Sequence, residues 1–179
     1  MTARKRRPAE APIPPNSVDS MVADRRPSLL DMARSLAEHE AAHAVINVHY
    51  GFDLEEVSLI PTETAQCPHV SSFFEPGLEH GRAESMAAGN VWCAMHWGLE
   101  NHGRTWLYSP EDLASHIDLV GGQDWELSFR AASETALDLL LRPDYAEAVY
   151  RLADVLMERE FLNGADAEDI VLSIMDGGS

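Results

Sequence analysis

His39-Glu40-Ala41-Ala42-His43 sits past the midpoint of a stretch running from Ser28 to Tyr50, and its reading decides how the rest of the chain is understood. Residues four apart on a helix are neighbours on one face, so His39 and His43 can offer two imidazole nitrogens to one ion. Glu40 lies one step round, about 100° away, within reach of a water at the same place. Two neutral nitrogen donors beside a carboxylate suit Zn2+, with Glu40 as catalytic general base. The reading needs a helix, a third ligand and an open coordination position.

The helix is well signalled. Ser28 is a good N-cap, and Asp31 stands three residues on, at the positive end of the helix. Leu29, Met32, Ala33, Leu36 and Ala37 keep a helical period that continues through Ala44, Val45 and Val48, and Gly51 gives a stop.

The 179-residue chain suits one domain plus a tail. Its 45% hydrophobic content is ordinary for a globular protein. Residues 1–27 hold six basic residues against three acidic ones, which leaves −20 on the remainder of a −17 chain. An acidic body of this kind argues against nucleic acid as a partner. Lys5 is the sole lysine, so a phosphate-binding loop of the G-x-x-x-x-G-K-[ST] type is excluded. Cys67 and Cys93 make no C-x-x-C pair, and reduced thiols are expected. No apolar run approaches the roughly 18 residues of a membrane span, and the basic N-terminus lacks a signal-peptide core. The expectation is a soluble, cytoplasmic protein with a disordered basic arm over residues 1–27, which holds five prolines.

Beyond the first helix, Glu56 to Ile60 alternates and stops at Pro61, which predicts a strand. His69 to Phe74 is a second, closed by Pro76-Gly77. Arg82 to Trp97 reads as a helix ended by Gly98, and Leu99 to Tyr108 as a loop. Ser109-Pro110-Glu111-Asp112 starts a short helix that Gly121-Gly122 breaks. Asp124 to Leu141, Tyr145 to Phe161 and Ala165 to Met175 read as three further helices.

Several residues could complete a metal site. His49 lies six residues after His43, the spacing used when a glycine turn follows H-E-x-x-H, but here Ile46 occupies the turn position. In a helix that runs on, His49 is rotated about 240° from His43, off the metal face. Glu84 has no feature that separates it from a surface acid. Asp112, with His116 one turn later, and Asp124 each open a helix, where an acidic residue is favoured in any case. Spacing and composition do not separate the two aspartates.

The ordered series of segments resembles the peptidase domain of FtsH-type AAA zinc metalloproteases. His39 to Val45 is similar to that family's H-E-A-G-H-A run, and Val57-Ser58-Leu59-Ile60-Pro61 to its V-x-I-I-P strand. Ser72-Phe73-Phe74 with Pro76 looks like its second strand. Ala88-Gly89 through Trp97-Gly98 resembles its G-G-R-x-A-E-E helix, and Leu152 to Gly164 its terminal helix and exit turn. The resemblance spans roughly residues 29 to 175.

It implies an α+β, mainly helical fold: a zincin-like H-E-x-x-H helix, a small β-sheet and a C-terminal helical bundle, over residues 28–179. It also implies a zinc metallopeptidase that acts on peptides or unfolded proteins. The family's third ligand is an Asp that opens a long helix after a small-residue loop. Gly121-Gly122-Gln123-Asp124 matches that pattern better than Pro110-Glu111-Asp112, so the expected ligands are His39, His43 and Asp124, with Glu40 as base.

The departures are Ala42 for the family's Gly, Cys93-Ala94 where acids are expected, and a longer connection from Leu99 to Val120. The chain carries neither the family's ATPase module nor its membrane anchor, so the expectation is a peptidase ATP-independent in itself. A homo-oligomer or a separate ATPase is then the assembly to look for. A rival expectation is a catalytically silent scaffold with a structural zinc, acting as an interaction or regulatory protein. The intact Glu40 weighs against it.

Overall fold

The computed structural model describes residues 28–63, 65, 68–73, 81–97, 110–121 and 124–177. The arm at 1–27, Cys67, residues 74–77, the loop at 99–108 and the Ser109 cap lie outside the described residues. The elements run α1 (Leu29–His49), β1 (Asp53–Ser58), β2 (His69–Phe73), α2 (Arg82–His96), α3 (Pro110–Leu119), α4 (Trp125–Leu140), α5 (Pro143–Arg159), β3 (Phe161–Asn163) and α6 (Gly164–Met175). The class is α+β and mainly helical, with one small antiparallel sheet.

Ser28 and Asp31 form a reciprocal cap on α1. The Ser28 hydroxyl accepts from the Asp31 N–H at 3.1 Å, and the Asp31 carboxylate accepts from the Ser28 N–H at 2.9 Å. The helix passes Ile46 without a break and ends at Tyr50, followed by Gly51 at φ +73°. Every side chain from Ala37 to Val48 is buried. A helix buried all round is a core helix rather than a surface one, and α2, α5 and β1 pack around it. Ala37, Ala41 and Ala44 leave room for those neighbours. Trp92, Val149, Leu152 and Leu156 join them in the core.

The sheet order is β2–β1–β3, antiparallel throughout. β1 starts before the expected Glu56 and stops short of Ile60. There the Ser58 hydroxyl donates to the Ile60 carbonyl (2.7 Å) and accepts from its N–H (3.2 Å), curling the chain out of the sheet. β3 was not expected, since Phe161 read as helix and Leu162 to Gly164 as a turn. Glu160 at φ +61° ends α5, and Leu162 then pairs with Val57, both buried. α6 begins at Gly164, where an added Cβ would lie 1.7 Å from the Leu54 carbonyl oxygen. Only glycine lets the start of α6 abut β1 this closely.

The remaining helix boundaries shift by a residue or two. α5 starts at Pro143, in the first-turn place proline favours, rather than at Tyr145. Among the described residues, no helix is long and apolar enough to cross a membrane.

Candidate metal centre

His39, Glu40 and His43 lie on the buried half of α1, each less than a tenth exposed. α3 lays its first turn over them. Three donor atoms meet there: His39 Nε2 and His43 Nε2 are 3.0 Å apart, and Asp112 Oδ2 is 3.2 Å from each. These three residues form a group that could hold a metal ion.

The protonation of His43 sharpens this. Its Nδ1 lies 2.6 Å from the Ser85 carbonyl on α2, and a carbonyl only accepts. Nδ1 therefore carries the hydrogen, and in neutral His43 the Nε2 lone pair faces His39 and the Asp112 carboxylate. Such a convergence of lone pairs needs a cation or a proton among them. In the metal-free chain a proton serves. Burial is the largest single influence on the His39 pKa and lowers it, but the hydrogen bonds to Asp112 and Cys93 and the nearby Glu40 charge together outweigh it and carry the pKa well above the ordinary value. For His43 burial is again the largest influence and opposes, and the charge and hydrogen bond of Asp112 with the Glu40 charge together raise the pKa. Burial raises Asp112, but the two imidazoles hold its carboxyl far below the usual range.

The far wall of the group is backbone. A Cβ added at Gly89 of α2 would stand 2.6 Å from both His39 Nε2 and His43 Nε2. The glycine thus keeps open the space into which the nitrogens point. Glu40 is buried beside them, and burial raises its pKa against the pull of both imidazoles.

Around this centre the buried side chains are tied together. The Ser85 hydroxyl donates to Asn47 Oδ1, and Asn47 Nδ2 donates to Ser72 Oγ on β2 (3.2 Å). Next to His39, the buried Glu38 carboxylate accepts from Trp92 Nε1 and Trp97 Nε1 at 2.9 Å each, and from Arg34 Nε at 2.6 Å. Arg34 also reaches Asp154 of α5. One carboxylate thereby joins α1, α2 and α5.

No family model matches the chain, and no curated protein matches it.

The third member of the group is Asp112; the expected Asp124 lies elsewhere. Asp124 is the exposed residue before α4, in the left-handed region at φ +52°, with its side chain capping nothing. It is not part of the group. Asp112 Oδ2 comes within 3.2 Å of both imidazole nitrogens, which brings the start of α3, and not that of α4, to the α1 site. His116 shares a helix face with Asp112 but is not part of the group either. It is fully buried beside Phe129, and burial lowers its pKa. His49 points elsewhere, its Nδ1 2.7 Å from the Tyr145 hydroxyl. The Ser85 carbonyl had no signal in the sequence, because any residue type could supply it. Glu38 had a weak one: two tryptophans five apart, each needing a partner for its N–H.

Proposed function

We propose that this protein is a zinc metallopeptidase built on the plan of the FtsH-type peptidase domain, with Asp112 as its third zinc ligand. The observation that carries the reading is the triangle of His39 Nε2, His43 Nε2 and Asp112 Oδ2 next to the buried Glu40. Its edges of 3.0–3.2 Å come close to the edge of a zinc tetrahedron, about 3.3 Å for metal–ligand bonds of about 2.05 Å. Two imidazoles and one carboxylate leave a fourth position free, the pattern of catalytic zinc.

Zinc, when bound, supplies the Lewis acidity that polarises a scissile carbonyl and makes water a better nucleophile at neutral pH. Glu40 does the proton work. Its carboxylate takes a proton from the attacking water and later delivers it to the nitrogen of the leaving amine. Burial raises its proton affinity, which suits a group that must hold the proton between the two transfers. The Ser85 carbonyl fixes the His43 ring, so that Nε2 is the donor atom. β2 is one of the two outer strands of the sheet, next to α1 through the Ser72–Asn47 bond. An extended peptide laid along the edge of β2 that no described strand pairs with would gain main-chain hydrogen bonds. The expected substrates are short peptides and unstructured segments, cleaved without ATP.

The test is Glu40→Gln on the full chain with casein as substrate. Zinc content stays near one per chain and cleavage vanishes. Cleavage that survives the substitution sinks the mechanism, and zinc without cleavage in the wild type favours a structural metal in a silent scaffold. In the same metal assay, Asp112→Ala loses zinc and Asp124→Ala keeps it.

A further inference from the structure

His39 has two ring nitrogens, and only one faces the group of three. Nε2 points to Asp112 and His43, while Nδ1 points to Cys93 Sγ on α2 at 3.8 Å. A neutral imidazole that offers its Nε2 lone pair to a cation must carry its hydrogen on Nδ1. That hydrogen needs an acceptor, because the ring is buried.

Cys93 is placed to be that acceptor. It is buried and not disulfide-bonded, and its own S–H is directed elsewhere, to the Ser35 carbonyl at 3.6 Å. The Ser35 hydroxyl lies 3.7 Å from the same sulfur. With its hydrogen given to Ser35, the sulfur has lone pairs left for His39. Gly89 and Cys93 are four apart, on one face of α2. The His39 ring lies along that face, with Cε1 and Nε2 against Gly89 and Nδ1 against Cys93.

We infer that Cys93 is the positioning residue for His39: its sulfur accepts the Nδ1–H and holds the Nε2 lone pair toward the metal. This rests on the reading of His39 as a zinc ligand. The two imidazoles are then held by different means, His43 by a backbone carbonyl that no substitution removes and His39 by a side chain that one can.

The experiment compares the wild type with Cys93→Ala, Cys93→Val and Cys93→Ser, all as full chains. Zinc dissociation constants come from competition with a chelator, and the Co2+-loaded visible spectrum reports the ligand geometry. Cys93→Ala and Cys93→Val weaken zinc binding about 10- to 100-fold and alter the Co2+ spectrum. Cys93→Ser, which still accepts and donates, restores most of the affinity. In the metal-free chain, the His39 Nδ1 proton is seen by 15N-edited NMR and protected from exchange in the wild type and Cys93→Ser, and lost in the two apolar variants.

Unchanged affinity and spectrum in Cys93→Val, or an unprotected Nδ1 proton in the wild type, overturns the inference and leaves the zinc reading standing. A protected Nδ1 proton in a wild type that takes up no zinc overturns the inference in a different way. It keeps the sulfur contact and removes both the zinc reading and the role in metal binding. Should Cys93→Ala fold poorly, the volume-filling valine and the wild-type proton signal still decide.

Discussion

Gly89 shows how little space separates a working donor set from a closed one. A methyl group at this position would meet His39 and His43 ring atoms at 2.6 Å, about 1 Å inside ordinary contact distance. In a helix interior, Gly→Ala otherwise adds about 1 kcal/mol of stability. The two effects oppose each other here. The imidazoles cannot swing aside cheaply, since His43 is anchored to Ser85 and both are buried. The expected outcome for Gly89→Ala is a chain that keeps its helical circular dichroism but no longer takes up zinc in equilibrium dialysis. Zinc binding at wild-type affinity would show that the rings have room to move.

The helices meet through Glu38, and its removal should be felt by three of them. Glu38→Gln keeps an oxygen for the indole N–H groups of Trp92 and Trp97 but turns an NH2 toward the Arg34 guanidinium, two donors face to face. The expected loss is about 1–3 kcal/mol of unfolding free energy in urea, read from the transition midpoint. Neither the capping of α1 nor its passage through Ile46 needed the fold to be seen. Ser28, Asp31 and Gly51 carry local signals that act within one turn. β3 was invisible because three residues have no period, and its pairing with β1 depends on Glu160 turning the chain. Asp112 was visible only as one of two equivalent aspartates. Both open helices, and local chemistry says the same of each. Asp112 is the one that arrives at His39, through the placement of α3 in the folded chain, a tertiary fact with no local trace. The resemblance pointed instead to the aspartate before the longer helix, Asp124, which is not part of the group.

Across the molecule as a whole, the candidate metal centre and the core share one helix. Glu38, His39, Glu40 and His43 lie within six consecutive positions of the most buried segment, where apolar side chains would serve folding better. Taking charge out of water is costly unless it is fully compensated, and Glu40 is the least compensated of the four. Its folded pKa lies above the ordinary value near 4.5, mainly through burial. The folded state therefore holds this proton more tightly than the unfolded chain does. Stability is lost as pH rises from that value through the folded pKa, and the loss persists at neutral pH. Glu40→Gln removes the charge and keeps the shape. The expected result is a gain of about 0.5–2 kcal/mol at pH 7, with a flatter dependence of stability on pH than in the wild type. A variant less stable than the wild type at pH 7 would contradict this. The same substitution that should silence the site should therefore harden the fold. A carboxylate at this position lowers stability at neutral pH, a standing thermodynamic debt that the proposed role of Glu40 as general base would account for.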